Sequence, residues 1–584
     1  PGFRTMAWAW SRSGVPEVLV EKIGDTALVF CGVLTGLGRL GPLPPDQASA
    51  VRLVLENCLK RDGDFPIDQL NGSFSLVFYD QKTGRMTAYT DRFASRSVWF
   101  TQENGNWILG NFPSTLTVMK KDSPRINPVG LWSLLHTARH VGGQGLYDGV
   151  NCLSAGETAG LSPGRPAEVR RWKERRYRPD YGLSPRAWGK RIASVLKESA
   201  RAYDRVCTSP HLFMSGGLDS RIAAAAFGPP LKSISLCNTP NAETRLAALA
   251  SKVIGIEHQV VVRSPYWYLD TLDAAALISS GSYQTTHVHF IVPTSDALSR
   301  TPGAEFLLGD LLENFNKNYF TVPPGVSWRF DPGRIVEVLH SFVPYSLKDQ
   351  SRLGAFIRPE LRQSIREKYF AAMEEYARSL LDVSADDADR LDTLLRWADV
   401  SLTPTYNMIT CFWPLTNQRN IFFDNRVYDL ALRIPSGLRG AGILHRWTLH
   451  YLNQLLPFIP NANTWLPPIA PSAAGKITKK IRPTLGKTRR SLLSMGRPDR
   501  PVLVTSGSWA MQGQLYRKDA RYQMEIERII KDESNFPDDI FHREEIERTW
   551  TRYLQGETSH HFEIDSLLSF GALQGLIKFD GLSL

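Results

Sequence analysis

The residues best placed to do chemistry lie in Ser215-Gly216-Gly217-Leu218-Asp219-Ser220, which gathers two hydroxyls, two glycines and a carboxylate into six positions. Glycines let backbone N–H groups approach an anion with no Cβ in the way. Ser215 and Ser220 add hydroxyl donors. Asp219 carries the wrong charge to hold phosphate directly, and makes sense as a ligand for a Mg²⁺ that bridges the carboxylate to the phosphate. The pattern is that of a phosphate-binding turn with a metal-binding acid. The same turn would also serve as an ordinary strand-to-helix connection in any α/β protein.

The elements that must position these residues can be read on either side. The apolar run Leu212 to Met214 reads as a short buried strand, and Ser220 to Phe227, with its alanines, reads as a helix start. A helix N-terminus there would add unpaired N–H donors and the positive end of its dipole. A helix over Ala187 to Tyr203 precedes the turn. Strand Leu231 to Cys237, a helix through Val253 and strand His258 to Val262 follow it. Strands alternating with helices predict a doubly wound parallel α/β sheet with ligands at its carboxyl edge.

Ser215-Gly-Gly-Leu-Asp-Ser220 resembles the Ser-Gly-Gly-x-Asp-Ser pyrophosphate loop of the asparagine synthetase-like ATP-pyrophosphatase family. A Gly-x-x-x-x-Gly-Lys loop is not found. The resemblance implies transfer of a carboxylate to the α-phosphate of ATP with release of pyrophosphate, then displacement of AMP by a nitrogen. ATP and Mg²⁺ are the implied cofactors. By the same resemblance Leu236 and Cys237 lie near the adenine, and Glu243 supports the site as a helix N-terminal capping residue.

A second segment, Glu305 to Tyr319, sits where the family carries a strand and a glycine-rich acidic loop. In register, Gly309 takes the first glycine and Glu313 the metal-binding acid, with Asp310 the other candidate, while Leu311 and Leu312 replace two family glycines. His287 and His289, two apart in Thr285 to Phe290, would share one face of a strand near the acyl substrate, with no third ligand to suggest zinc. Arg419, Phe422, Phe423 and Asp424 resemble a pocket-shaping segment, and His445-Arg446-Trp447 the one that follows it. The family also stabilises the adenylate with a late lysine. Lys476 is the nearest candidate after Ile459 to Pro471, with Lys479 and Lys480 equally open. Glu313, His289 and Lys476 are thus the expected catalytic residues.

The first 180 residues are rich in strands. Thr26 to Val33 is an apolar run, Phe74 to Tyr79 follows an Asn71-Gly72 turn, and Asp80 to Gly84 is a hairpin signal before Arg85 to Tyr89. Leu70 to Asp80, Asp91 to Phe100 and Tyr147 to Ser154 resemble the N-terminal-nucleophile glutaminase half of the same family, an α+β domain. That chemistry uses an N-terminal Cys whose amine acts as base. The sequence begins Pro1-Gly-Phe-Arg, so this half is expected to be a degenerate scaffold without glutamine hydrolysis.

At 584 residues the chain exceeds one ordinary core. The expected domains are 1–180 (glutaminase-like), 181–500 (adenylating) and 501–584 (a helical extension packed on the adenylating domain). Hydrophobic content of 42% and charged content of 22%, with no apolar run long enough to span a bilayer, predict a globular protein with no membrane span. Six cysteines without metal-ligand spacing and no signal peptide point to a cytoplasmic setting. The net charge of +11 favours anions, ATP and acidic peptides among them. The basic stretch Lys476 to Arg500 lacks interleaved aromatics, and no nucleic acid is expected.

Within the family the chain looks most like the macrolactam cyclases of lasso peptides. These activate an internal carboxyl of a ribosomal peptide precursor and are accompanied by a leader-peptide-binding protein and a processing protease. The alternatives are amidation of a small carboxylic acid with ammonia, as in asparagine synthetase, and β-lactam synthetase-like ring closure.

Overall fold

The computed structural model describes residues 18–60, 65–137, 142–172, 178–288, 304–309, 354–381, 417–439, 442–470, 512–556 and 561–582, with a few single positions and pairs beside them. The amino-terminal half is built on an antiparallel sheet of strands β1 (Val18–Ile23), β2 (Thr26–Gly36), β3 (Asn71–Asp80) and β4 (Arg85–Thr90). Strands β5 (Trp99–Glu103), β6 (Asn106–Gly110) and β7 (Asn151–Cys152) form a second sheet, and β8 (Glu157–Leu161) and β9 (Glu168–Arg171) complete the first in the order β1-β2-β3-β4-β8-β9. Alternation along β2 and β3 puts Leu28, Phe30, Phe74 and Leu76 into a core closed by helix Gln47–Leu59, whose N-cap Asp46 accepts from Ser49 N at 2.8 Å. The predicted hairpin is present: Asp80 accepts from Lys82 N and Thr83 Oγ1, and Gly84 takes a positive φ of 68°.

Asn71-Gly72 is not a turn. Both residues lie inside β3, where Gly72 faces Leu34 across the ladder at φ 147°, and a Cβ there would stand 2.2 Å from Val33 O. The glycine is required by close approach of two strands, which a sequence pattern cannot distinguish from a bend.

The second half holds the five-stranded parallel sheet. Its strands are β10 (Pro210–Phe213), β11 (Lys232–Cys237), β12 (Glu257–Val262), β13 (Glu305–Leu307) and β14 (Asn417–Arg419), in the spatial order β12-β11-β10-β13-β14. All four pairings are parallel, and the order reverses between β10 and β13. The fold is an α+β domain followed by a doubly wound parallel α/β domain, as expected from the sequence. Helix Pro185–Asp204 starts on the N-cap Ser184 with Pro185 in its first turn, and buries Trp188, Ile192, Leu196, Ala200 and Tyr203 along one face.

The halves are joined by polar contacts. Asn71 Nδ2 donates to Asp424 Oδ2 at 3.0 Å, while its Oδ1 accepts from Asn425 N at 2.8 Å. Arg92 pairs with Asp429 at 2.7 Å, and Arg96, fully buried, donates to Gln418 O at 2.9 Å. These arginines are presented by a turn folded around the Asp91 carboxylate, which accepts from the N–H groups of Phe74, Phe93 and Ser95. Burial pushes that carboxyl above its usual range.

The last helices, Ala520–Lys531, Arg543–Leu554 and His561–Ile577, lie in the stretch expected to be helical. Their core takes in Trp99, Val129, Leu131 and Trp132 of the first half as well as Leu272, Ala276 and helix Pro359–Leu381. The footing is thus wider than the second half alone. Inside it, Asp565 accepts from Tyr516 Oη and Gln512 Nε2, both at 2.7 Å. Burial pushes the Asp565 carboxyl from 3.8 up to about 8, with the tyrosine hydrogen bond pulling the other way. The folded state therefore holds this proton more tightly than the unfolded chain does. Its stabilising contribution is complete below the unfolded carboxyl value and is lost as pH rises towards about 8. Thermal melting of the intact chain should show midpoints that fall between mildly acidic and mildly alkaline pH, and Asp565→Asn should flatten that slope. An unchanged slope would remove Asp565 as its source.

Candidate functional site

The turn Ser215–Ser220 lies at the carboxyl end of β10, at the point where the strand order reverses. Open α/β sheets bind ligands at such a point, because the connections on either side lead to opposite faces and leave a crevice. Helix Asp219–Phe227 starts there, and its N-cap Leu218 offers no capping side chain to the first-turn N–H groups. The turn holds its own shape: Ser215 Oγ lies 3.0 Å from Ser220 Oγ and accepts from Gly217 N at 3.2 Å.

Neighbouring elements close around it without side chains in between. A Cβ on Gly216 would meet Ala462 Cβ at 2.6 Å and Glu243 Cγ at 3.0 Å, and one on Gly309 would meet Ser220 Cα at 2.7 Å. Only glycine permits these approaches. Ala462 N donates to Gly216 O at 3.0 Å. Arg221, fully buried, donates to Ile459 O at 2.8 Å and to Pro460 O at 3.0 Å. Burial pulls its guanidinium down to about 10, so it stays charged at neutral pH beside the turn. The Ile459–Pro460 backbone, in the stretch that precedes the candidate Lys476, is thereby fastened to the turn Ser215–Ser220.

The Asp219 carboxylate meets an imidazole. His445 Nε2 lies 2.7 Å from Asp219 Oδ1, and since a carboxylate only accepts, that nitrogen carries the proton. Leu236 and Cys237 end β11 beside the turn, both buried, and Cys237 O accepts from Arg263 N at 3.0 Å. The Arg263 guanidinium stacks 3.9 Å above the Trp267 ring, and burial pulls it down to about 9.

Ser215, Gly216, Gly217, Asp219, Ser220 and Gly309 are therefore brought together, with Leu236 and Cys237 on the adjacent strand end. Asp310, Glu313, His289, Lys476, Lys479 and Lys480 lie outside the described residues. Thr285–Val288 is a 3-10 helix and not the expected strand, so the alternation that would have put His287 and His289 on one face does not apply. Glu243 is not the helix cap. Asn241 is, accepting from Glu243 N at 2.8 Å and Thr244 N at 3.3 Å, and Glu243 instead packs on Gly216. Arg419, Phe422, Phe423 and Asp424, expected to shape a pocket, are all buried. Arg419 pairs with buried Glu305, the phenylalanines are core, and Asp424 caps helix Asn425–Ala431.

The sequence assigned no role to Arg221 or Arg263, and to His445 only a place in a segment resembling one that shapes the pocket. Arg221 could have been found, since an arginine two residues after the turn's aspartate on an alanine-rich helix has little room to point outward. Arg263 stands directly after an apolar strand, where carboxyl-edge residues are expected. Nothing near His445 announces its partner.

The donor set suits a nucleotide triphosphate with a divalent cation: backbone N–H groups and hydroxyls for phosphate, one carboxylate for the cation. Among the described residues no three of His, Cys, Asp and Glu converge on a metal position. Such a cation would be shared between Asp219 and the phosphates, where it would supply charge neutralisation.

Residues 50–173 match the family described as a glutamine amidotransferase domain. No curated protein matches the chain. Among solved structures, the chain is similar to NMN synthetase from Francisella tularensis at 15% identity and a TM-score of 0.20, covering 39% of this chain and 96% of that one. It is also similar to NAD+ synthetase from Burkholderia pseudomallei at 13% identity and a TM-score of 0.18, covering 38% and 90%. Both likenesses are too slight to carry an argument. No helix among the described residues is long and apolar enough to cross a membrane.

Proposed function

We propose that this chain is an ATP-dependent amide-bond-forming ligase that releases AMP and pyrophosphate. The observation that carries the reading is the turn Ser215–Ser220 at the sheet's reversal point, with Gly309 seated on Ser220. A carboxylate oxygen of the substrate bonds to the α-phosphorus of ATP and pyrophosphate leaves. A nitrogen then bonds to the carbonyl carbon and AMP leaves. The chain's own part is to cradle the departing pyrophosphate with the N–H groups and hydroxyls of the turn, and to present Asp219 to its cation.

For the nitrogen we favour ammonia and for the acid a small carboxylic acid. The amidotransferase match over residues 50–173 supports this, since that class of domain exists to supply ammonia to a partner reaction. Closure of a macrolactam in a peptide precursor uses the same activation with an internal amine, and gains from holding both ends together.

The experiment is incubation of the full chain with ATP, Mg²⁺ and panels of small acids or precursor peptides, with and without ammonium or glutamine, following AMP and pyrophosphate. AMP formation that requires a small acid and a nitrogen source is the expected result. Loss of 18 mass units from a peptide without added ammonium would replace ammonia by the intramolecular reading. Formation of ADP and phosphate would overturn the ligase proposal.

A further inference from the structure

We infer that His445 is a positioning residue that fixes the Asp219 carboxylate in the orientation a divalent cation needs. The inference rests on the ligase reading above, and deepens it at the same site. Three observations support it. The imidazole Nε2 lies 2.7 Å from Asp219 Oδ1 across 226 residues of sequence. The His445 side chain is fully buried while Asp219 keeps 18% of its side-chain surface exposed, so the ring stands behind the carboxylate and the carboxylate faces the crevice.

The third is the way the ring is delivered. His445 rides on helix Ile443–Leu452, which packs tightly against helix Pro185–Asp204. A Cβ on Gly189 would lie 2.3 Å from Trp447 Cβ, and Arg186 donates to Tyr451 Oη at 2.9 Å. The imidazole is therefore held by helix packing and not by the turn it serves.

The physical reason for such an arrangement is electrostatic. A carboxylate set in a turn that receives phosphate is repelled by that phosphate until a cation bridges the two. A charge-assisted hydrogen bond from behind removes the rotamers in which the carboxylate swings away, and offsets part of its charge. Binding the cation then costs less ordering, because the ligand is already in place. His445 itself touches neither nucleotide nor cation in this scheme.

The test uses the full chain with Mn²⁺ and ATP, reading bound Mn²⁺ by electron paramagnetic resonance and fold by thermal melting. His445→Leu removes the donor, and His445→Gln keeps an N–H that can reach the carboxylate. The leucine variant should bind Mn²⁺ about tenfold more weakly, the usual lower bound for losing a hydrogen bond that orients a ligand. The glutamine variant should recover most of it. In an Asp219→Asn background, His445→Leu should have no further effect.

Unchanged Mn²⁺ binding in His445→Leu would overturn the inference, as would an equal loss in the Asp219→Asn background or no recovery with glutamine. Should the leucine variant not fold, His445→Gln against His445→Met makes the same comparison of donor and no donor. Failure of the ligase reading shows up separately, as a wild-type chain that forms no AMP.

Discussion

Asp219→Asn should abolish pyrophosphate release, with a loss of at least about a hundredfold, or ~3 kcal/mol of transition-state stabilisation. The substitution changes one atom and leaves the volume of the side chain as it was, so packing of helix Asp219–Phe227 is preserved. It removes the negative charge through which a cation would be shared with the phosphates. Asparagine can still accept from His445 through its amide oxygen, so the hydrogen bond at 2.7 Å is not what is lost. A coupled pyrophosphate assay with ATP and the identified acid measures the effect, and thermal melting controls for folding. Near-normal release would remove Asp219 from its metal role and leave the turn as a plain connection.

A comparably large effect, this one on stability, is expected inside the parallel sheet. Glu305 and Arg419 pair at 2.8 Å with 2% and 4% of their side chains exposed, across the neighbouring strands β13 and β14. Glu305 also accepts from Thr208 N, in the connection that leads into β10. Glu305→Leu would strand the Arg419 guanidinium in the core, which costs about 3–5 kcal/mol, whereas replacing both partners by Leu and Met costs far less. Denaturant titration of the two variants distinguishes these outcomes. Gly309 stands two residues beyond β13, so the single variant should also loosen the contact between Gly309 and Ser220 and weaken ATP binding. A single variant as stable as the wild type would show that the pair does not anchor this edge.

Much of the local structure was legible because it depends on neighbours in sequence. The strand–turn–helix around Ser215 and the alternation leading to β12 follow from apolar runs broken by glycine, proline and asparagine. The segment Thr285 to Val288 was not legible, since a short run containing two threonines and a histidine suits a strand or a tight helical turn equally. There Thr285 N and Oγ1 both bond to Ser569 Oγ, and Gln284 bonds to Ser566 Oγ, so a helix nearly 300 residues away fixes the conformation. Asn71-Gly72 was misread for a related reason: the glycine answers to the strand opposite it.

What the sequence determined by itself was the glycine-rich strand–turn–helix at Ser215 to Ser220 and the parallel α/β order around it. Both are set within short windows by glycine placement and hydrophobic period. What only the tertiary structure decided was which groups surround that turn: His445 behind Asp219, Arg221 fastening the Ile459–Pro460 backbone, and Gly309 seated on Ser220. Those contacts join positions that are far apart in the chain. Long-range packing selects them by fit, and no local pattern of residues encodes which distant side chain will fill the space.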